Sequence, residues 1–499
     1  MILRKPRAWQ RVWPRLLGPL GVGMVGLCAW PYTVDDSYIV ARYAHRLARG
    51  EGYTWNPGPA TDGVTGPAWL VPGVLAALGG YDPVIAAKAV GLCCACVAAY
   101  ACIAATQTQA RGTALAWLVA LLLACQPSLG GSGSSGLETG AATLAMTCAA
   151  NAALSAVPRA GSLGSAVAIL AWLRPELAFA CAALLGAATL RMGWRRVWSA
   201  WAIPMVAVVS ICLFRFWVKG SPVPMAWNAK AGSLRDGLFY ATRAVPVLTG
   251  VTGIGLAIAG AAWGQFRERA RALAILSHGA AVVLAGGDWM PGFRLWVPLF
   301  PQYAVLAAVG TERLWRRGGA ARVVCGFALL VACGVPLLDL TLRIPEWQRA
   351  GRSRETVGAV IVRDLREVAQ RVALVDIGFF GYASGVATID LAGLTDPAVA
   401  AFPGGHLKKR IPSQWLESQA PDAFLLHSEL PPTAAPDGRL GRFVGFPVEQ
   451  RVVRFGWVAE HFRVARIYAY APGYHYVLLR KVPYLRAGDP PGRPKLERE

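Results

Sequence analysis

Charge is what this chain has least of. Of its 499 residues only 16% are charged and only 28 are acidic, while 55% are apolar. A soluble protein usually carries about 25% charged residues, so a soluble multidomain enzyme and a disordered polymer are both excluded. The six histidines fall at no ligand spacing. All eleven cysteines sit in apolar runs, and the tightest group, Cys93-Cys94-x-Cys96, is too compressed for zinc. Neither a structural metal nor a disulfide is expected, and the thiols read as small helix- or lipid-facing residues. The turn over 378–385 lacks the G-x-G-x-x-G spacing of a dinucleotide site, and no Ser-His-Asp motif is present. No internal repeat is visible, which weighs against transporters built on duplicated halves. The basic surplus of +22 forms no stripe with interleaved aromatics, so no nucleic-acid partner is expected.

What the chain does have is apolar runs near bilayer length and 19 tryptophans. After a basic start with Arg4, Lys5, Arg7, Arg11 and Arg15, the first run covers 16–31. No small-x-small cleavage site follows it, so it is expected to be an uncleaved first span. Further runs begin near Pro83, Thr113, Leu137, Leu163, Leu177, Val197, Ala244, Ala272, Leu295 and Val323, giving about eleven spans. Alternate loops are basic: Arg111; Arg159; Arg191, Arg195 and Arg196; Arg267, Arg269 and Arg271; Arg313, Arg316, Arg317 and Arg322. The intervening loops are mixed in charge, so the basic ones are expected inside and residues 344–499 outside. Between Leu163 and Leu190 two short runs flank Arg174-Pro175-Glu176. This is read as a helical hairpin, with one long span carrying a buried ion pair as the alternative.

The fold class expected is therefore a polytopic α-helical membrane protein with a C-terminal extracytoplasmic α/β domain. Its parts are a membrane domain over 1–343, the α/β domain over 344–485 and a disordered tail over 486–499. Strands are predicted over 373–377, 386–391, 424–427, 462–470 and 474–482, and a helix over 414–419.

The outer loops collect the polar residues that could do chemistry. Asp35 and Asp36 follow the first span and open a helix on which Arg42, Arg46 and Arg49 form one stripe and Ile39, Tyr43 and Leu47 another. Such a helix is expected to lie along the membrane surface, with Tyr38 and Arg42 available to substrate. One aspartate can be an N-cap; two adjacent carboxylates at a membrane boundary suit a general base or a metal ligand. The rigid segments 219–230 and 286–294 bring Asn228, Lys230, Asp288, Trp289 and Arg294 to the same face, with Glu138, Arg174, Glu176 and Lys88. Cations there could stabilise a departing lipid phosphate. Asp376, Asp390 and Asp396 read as turn caps, and His278 as a buried core histidine.

An uncleaved span followed outside by Asp-Asp-x-Tyr resembles the GT-C superfamily of integral-membrane glycosyltransferases. More narrowly, "DDSYIVARYAHRLARGEGYTWNPG", "SGLETG", "RPE", "GSPVP…NAK", "GGDWMPGFR" and "TIDLAGLTDP" resemble the bacterial group that contains the mycobacterial terminal arabinofuranosyltransferase. The matches run in order from Asp35 to Pro397. The resemblance implies an inverting transferase in the bacterial inner membrane, its active site outside, moving a sugar from a polyprenyl-phosphate donor to a cell-envelope glycan. Arabinofuranose is the first expectation for the sugar. A protein acceptor, or a flippase that makes no bond, is the alternative. The resemblance further implies Asp35 as general base, Asp36 orienting the acceptor or the base, and Arg174, Lys230 and Arg294 on the phosphate. The remaining substrate contacts would be Tyr38, Arg42, Glu138, Glu176, Asn228, Asp288 and Trp289. A divalent cation (Mg2+ or Mn2+) is compatible with the superfamily and not demanded by the residues. The chain departs from the family pattern at 62–66, where Asp62 replaces a Glu, and at 225–228; both stretches are expected to touch sugar or acceptor, so the donor sugar need not be shared.

Overall fold

A computed structural model of the chain describes residues 8–108, 112–225, 227, 233–288, 290 and 292–482. The expected tail over 486–499 lies outside the described residues. The chain forms two compact units that are not contiguous in sequence. The first comprises residues 1–33, 66–214 and 232–347, and the second 34–65, 215–231 and 348–499. Residues 34–65 and 215–231 thus belong with the C-terminal part of the chain, an association that a division at residue 343 does not convey.

Helices dominate the first 353 residues: α1 (Ala8–Cys28), α2 (Asp35–Ala48), α3 (Leu70–Leu78), α4 (Pro83–Thr108), α5 (Gly112–Ala124), α6 (Pro127–Gly133), α7 (Thr139–Leu154), α8 (Ala160–Leu173), α9 (Ala178–Met192), α10 (Trp194–Lys219), α11 (Leu234–Ala262), α12 (Phe266–Leu284), α13 (Phe300–Arg317) and α14 (Gly319–Ser353). Among the described residues five helices are long and apolar enough to cross a membrane, or six if the 61° bend between α5 and α6 is counted within one span. About eleven spans were expected. The difference arises where apolar runs are broken into short helices. The run near Leu137 yields the 16-residue α7, and the run near Leu163 the 14-residue α8. At Arg174 the backbone leaves helical geometry (φ −147°, ψ 87°) because Pro175 disfavours the α conformation before it.

Small residues set the packing of the first unit. A Cβ at Gly140 on α7 would fall on the carbonyl oxygen of Gly91 on α4, and one at Gly310 on α13 would fall on that of Leu256 on α11. Helix backbones approach this closely only where side chains are absent. Around these contacts α7 presents Ala142, Ala145, Ala149, Ala150 and Ala153 to a fully apolar core.

In the second unit a five-stranded sheet has the order β2-β1-β3-β5-β4, from β1 (Arg371–Leu374), β2 (Ala387–Asp390), β3 (Ala423–Ser428), β4 (Phe462–Ala471) and β5 (Tyr474–Lys481). The first three strands are parallel and β5 runs antiparallel to β3 and β4. All six residues of β3 are buried, as expected for a central strand. The segment read as a turn between β1 and β2 is in fact a helix. After α15 (Ala359–Val368), α16 (Ile377–Ser384) makes the parallel crossover and ends on Gly385 in the left-handed conformation (φ 72°). Helix α2 packs on α16 and is buried at Ser37, Ile39, Val40, Ala41, Arg42, Tyr43 and Ala44. Of its basic stripe, Arg42 turns inward to internal carbonyls, while Arg46 pairs with Glu51 at 2.8 Å.

Candidate active site

In the second unit the acidic pair opens α2, and Asp35 is fixed from 343 residues away. Its Oδ2 accepts the backbone N–H of Gly378 and its Oδ1 that of Phe379, both at 2.8 Å. The carboxylate therefore closes the N-terminus of α16, where unsatisfied N–H groups favour a negative charge. The approach needs Gly378, because a Cβ there would fall on the Asp35 backbone and carboxyl oxygens. Burial pushes the Asp35 carboxyl up to about 7, helped by the neighbouring charges of Asp376 and Asp36 and opposed by the Phe379 N–H and Arg354. Asp376 accepts both tyrosine hydroxyls of the β5 start, Tyr474 at 2.8 Å and Tyr476 at 2.6 Å.

Arg354 is the residue that sequence reasoning missed. It begins a π-helical turn, Arg354–Gly358, just after α14, an irregularity often found at functional sites. Its guanidinium lies 5.1 Å from the Tyr38 ring centre and 5.4 Å from that of Phe379. Nothing in the local sequence marks it, since its partners come from 35–38 and 376–379. Tyr38 itself is half-buried, with ring centres of Phe379 at 5.3 Å and Tyr382 at 5.8 Å.

Two residues expected to touch substrate have internal partners in this unit. Arg42 is buried; it donates to the carbonyls of Trp55 (3.0 Å), Val386 (3.1 Å) and Gly381, and stacks 4.5 Å from the Trp55 ring. Its guanidinium is directed at main-chain oxygens. Asp62, expected near the sugar, is also buried, paired with Arg215 at 3.3 Å and hydrogen-bonded by Tyr53 at 3.2 Å. Asp390 and Asp396 are caps, as their loop positions suggested: Asp390 accepts the N–H groups of Ala392, Gly393 and Thr395, and Asp396 those of Ala398 and Val399.

In the first unit the other acids and cations gather in one polar cluster. Arg174 contacts Glu138 and Glu176, each at 2.9 Å, and the Thr139 hydroxyl at 3.1 Å. Arg294 meets Asp288 at 2.6 Å. The loop that carries them turns through left-handed Gly286, Gly287 and Gly292 and through Phe293 at φ 54°, a strained conformation for a bulky residue. The Tyr240 phenol feels Asp288, Arg294 and Arg174 together, and the His278 ring feels Glu176 and Arg174. His278 is buried and bonds the Leu295 carbonyl at 2.8 Å. Lys88 is used inside the unit: it caps the end of α1 through the Trp30 and Tyr32 carbonyls and the Thr33 hydroxyl. Asn228, Lys230 and Trp289 lie outside the described residues.

In the same unit an apolar groove of about 910 Å³ runs between α11, α12 and α13. Arg269, Leu273, Leu276, Ala280 and Val283 line it from α12, and Trp296 is also part of its lining. From Arg269 to Val283 the wall is about 21 Å long at the helical rise. Among the described residues no three His, Cys, Asp or Glu side chains stand so as to hold a metal ion. Asp35 and Asp376 are instead engaged by N–H and O–H donors, so they do not fit a resident cation and no step below runs through one.

In fold the chain is similar to solved membrane glycosyltransferase structures. Similar solved structures include ArnT from Cupriavidus metallidurans bound to undecaprenyl phosphate, at 12% identity over 96% of this chain and 99% of that one, with a TM-score of 0.56. Its apo state matches at 13% identity over 94% and 98%, with a TM-score of 0.53. The oligosaccharyltransferase AglB from Archaeoglobus fulgidus, in complex with an inhibitory peptide and a dolichol-phosphate, matches at 10% identity over 84% and 70%, with a TM-score of 0.50. Residues 345–483 match a family described as a domain of unknown function, DUF8728. No curated protein sequence matches the chain.

Proposed function

We propose that the protein is an inverting glycosyltransferase that moves a sugar from a polyprenyl-phosphate donor to a cell-envelope glycan outside the inner membrane, with arabinofuranose the first candidate sugar. The observation that carries the reading is a polar group of Arg174, Glu138, Glu176, Asp288 and Arg294 in the same unit as a long apolar groove. A lipid with a charged head and a long hydrocarbon tail has that shape and polarity. The neighbours fit the same picture, since one was solved with undecaprenyl phosphate and another with dolichol-phosphate.

The chemistry assigned to Asp35 is general-base catalysis. Its carboxylate takes the proton of an acceptor hydroxyl while that oxygen bonds to the anomeric carbon. The bond from that carbon to the phosphate oxygen breaks in line, and its electron pair leaves with the polyprenyl phosphate. Asp36 orients the acceptor or the base. Of the cations assigned to the phosphate, Arg294 is the better placed, its side chain 13% exposed against 4% for Arg174. Arg174 has two carboxylates and a hydroxyl around it and acts chiefly by holding them.

Purified protein in nanodiscs, given synthetic polyprenyl-phosphate sugars and oligosaccharide acceptors, tests the reading. Asp35→Asn is expected to lower transfer by about 10² or more with donor affinity nearly unchanged. Transfer above a tenth of wild type in that variant would remove Asp35 from the role. Lipid movement in liposomes without product from any donor would favour a carrier instead.

A further inference from the structure

The second unit holds a surface that the transfer chemistry above does not use. Tyr38, Phe379 and Tyr382 bring three half-buried rings together, with centres 5.3 and 5.8 Å apart around Tyr38. The Arg354 guanidinium lies across the first two. Tyr470 of β4 flanks the group through Tyr476, its ring centre 5.3 Å from that of Tyr476, which lies 5.0 Å from that of Phe380.

We propose that this patch is a carbohydrate-binding site that seats the acceptor glycan, with Arg354 as its central polar residue and Tyr38, Phe379, Tyr382 and Tyr470 as its ring walls. The inference rests on Asp35 being the base, because the patch begins at the Asp35 carboxylate. Its composition suits a sugar. Flat ring faces pack against the C–H face of a saturated ring, and a guanidinium held by aromatic walls presents its N–H fork to adjacent hydroxyls. A peptide is the poorer occupant. It would want main-chain pairing, and the two N–H groups at the floor of the patch, Gly378 and Phe379, already serve Asp35. Arg354 opens a π-helical turn, an irregularity frequent at functional sites.

The test uses the full chain in nanodiscs with three probes: an arabinofuranose tetrasaccharide, a mannopyranose tetrasaccharide and a Ser/Thr-rich peptide. Binding is read by saturation-transfer NMR and transfer by steady-state kinetics, for wild type, Arg354→Ala, Arg354→Lys and Tyr382→Ala, each checked for an unchanged melting transition. A tetrasaccharide should bind the wild type and lose its signal in Arg354→Ala. Acceptor KM should rise tenfold or more in Arg354→Ala and Tyr382→Ala while donor KM moves less than twofold, and Arg354→Lys should recover part. If Arg354→Ala misfolds, Tyr382→Ala alone carries the comparison. A donor KM that rises with an unchanged acceptor KM would assign Arg354 to the lipid phosphate and overturn the proposal. Binding of the peptide alone, or of no tetrasaccharide by the wild type, would overturn it as well. Tetrasaccharide binding that depends on Arg354 or Tyr382, without transfer from any donor, would uphold the site and overturn the transferase reading instead.

Discussion

Asp35 has to be both a structural cap and a reactive base, and its surroundings reconcile the two. Two N–H donors orient the carboxylate, and burial with the nearby charges of Asp376 and Asp36 raises its affinity for a proton to about 7. A base must be ionised to act, so kcat/KM is expected to fall about tenfold per unit as pH drops below about 7 and to level off above it. Asp376→Asn removes a charge that raises the Asp35 value, so the break in the profile should move to lower pH, which a pH–rate series on wild type and variant would check. No movement would mean Asp376 does not act on the base. The same shift has a stability sign. The unfolded carboxyl titrates near about 3.9, so the native state loses stability as pH rises from about 4 to about 7 and the reactive form is the less stable one. The aspartate pair was legible because two adjacent acids after an apolar run are costly without a purpose. The role of Gly378 was not legible, because its reason is a contact with a residue 343 positions earlier.

Among the elements, the break between α8 and α9 and the groove along α12 carry the next expectations. Arg174 is buried between Glu138 and Glu176. Arg174→Ala leaves the partly exposed Glu138 and Glu176 carboxylates without their shared cation, a loss expected to cost about 1–3 kcal/mol. Thermal unfolding in detergent should show a clearly lower midpoint for Arg174→Ala, with Arg174→Lys in between; an unchanged midpoint would mean the cluster is not a buried ion network. On α12, Ala280 lines the groove. Ala280→Trp should fill part of it and raise donor KM about tenfold while acceptor KM stays put, as measured with a long-chain polyprenyl donor. Equal effects on both substrates would place the lipid tail elsewhere. Apolar periodicity revealed most helices here and Arg174-Pro175 revealed the break. It does not fix the number of spans, because an Ala-rich helix such as α7 is as apolar as a span while being only 16 residues long and buried among its neighbours.

At the scale of the whole molecule, the alternation of basic and mixed loops leads to an orientation. Reporter fusions after Arg111, Arg196 and Arg317 are expected to report the cytoplasm, and one after Gly405 the outside. A cytoplasmic signal at Gly405 would reverse the side on which the acidic pair works. Composition alone separated a membrane part from an α/β part, and the strand pattern from β1 to β5 was readable from β-branched and aromatic runs. The sequence could not reveal that 34–65 and 215–231 join the C-terminal residues in one unit, since that depends on Arg42, Asp62 and Arg215 finding distant partners. Arg42 carries a consequence for biosynthesis. Two of its three carbonyl acceptors, Gly381 and Val386, lie 339 and 344 residues further along the chain. During translation α2 emerges long before them, so its guanidinium must wait, solvated or held by a chaperone, until the last third of the protein has been made. Nor can the acidic pair take up its final geometry before then. A nascent or truncated chain is therefore silent by construction, and quality control has a simple handle on it: an arginine still in water marks a polypeptide that is not yet finished.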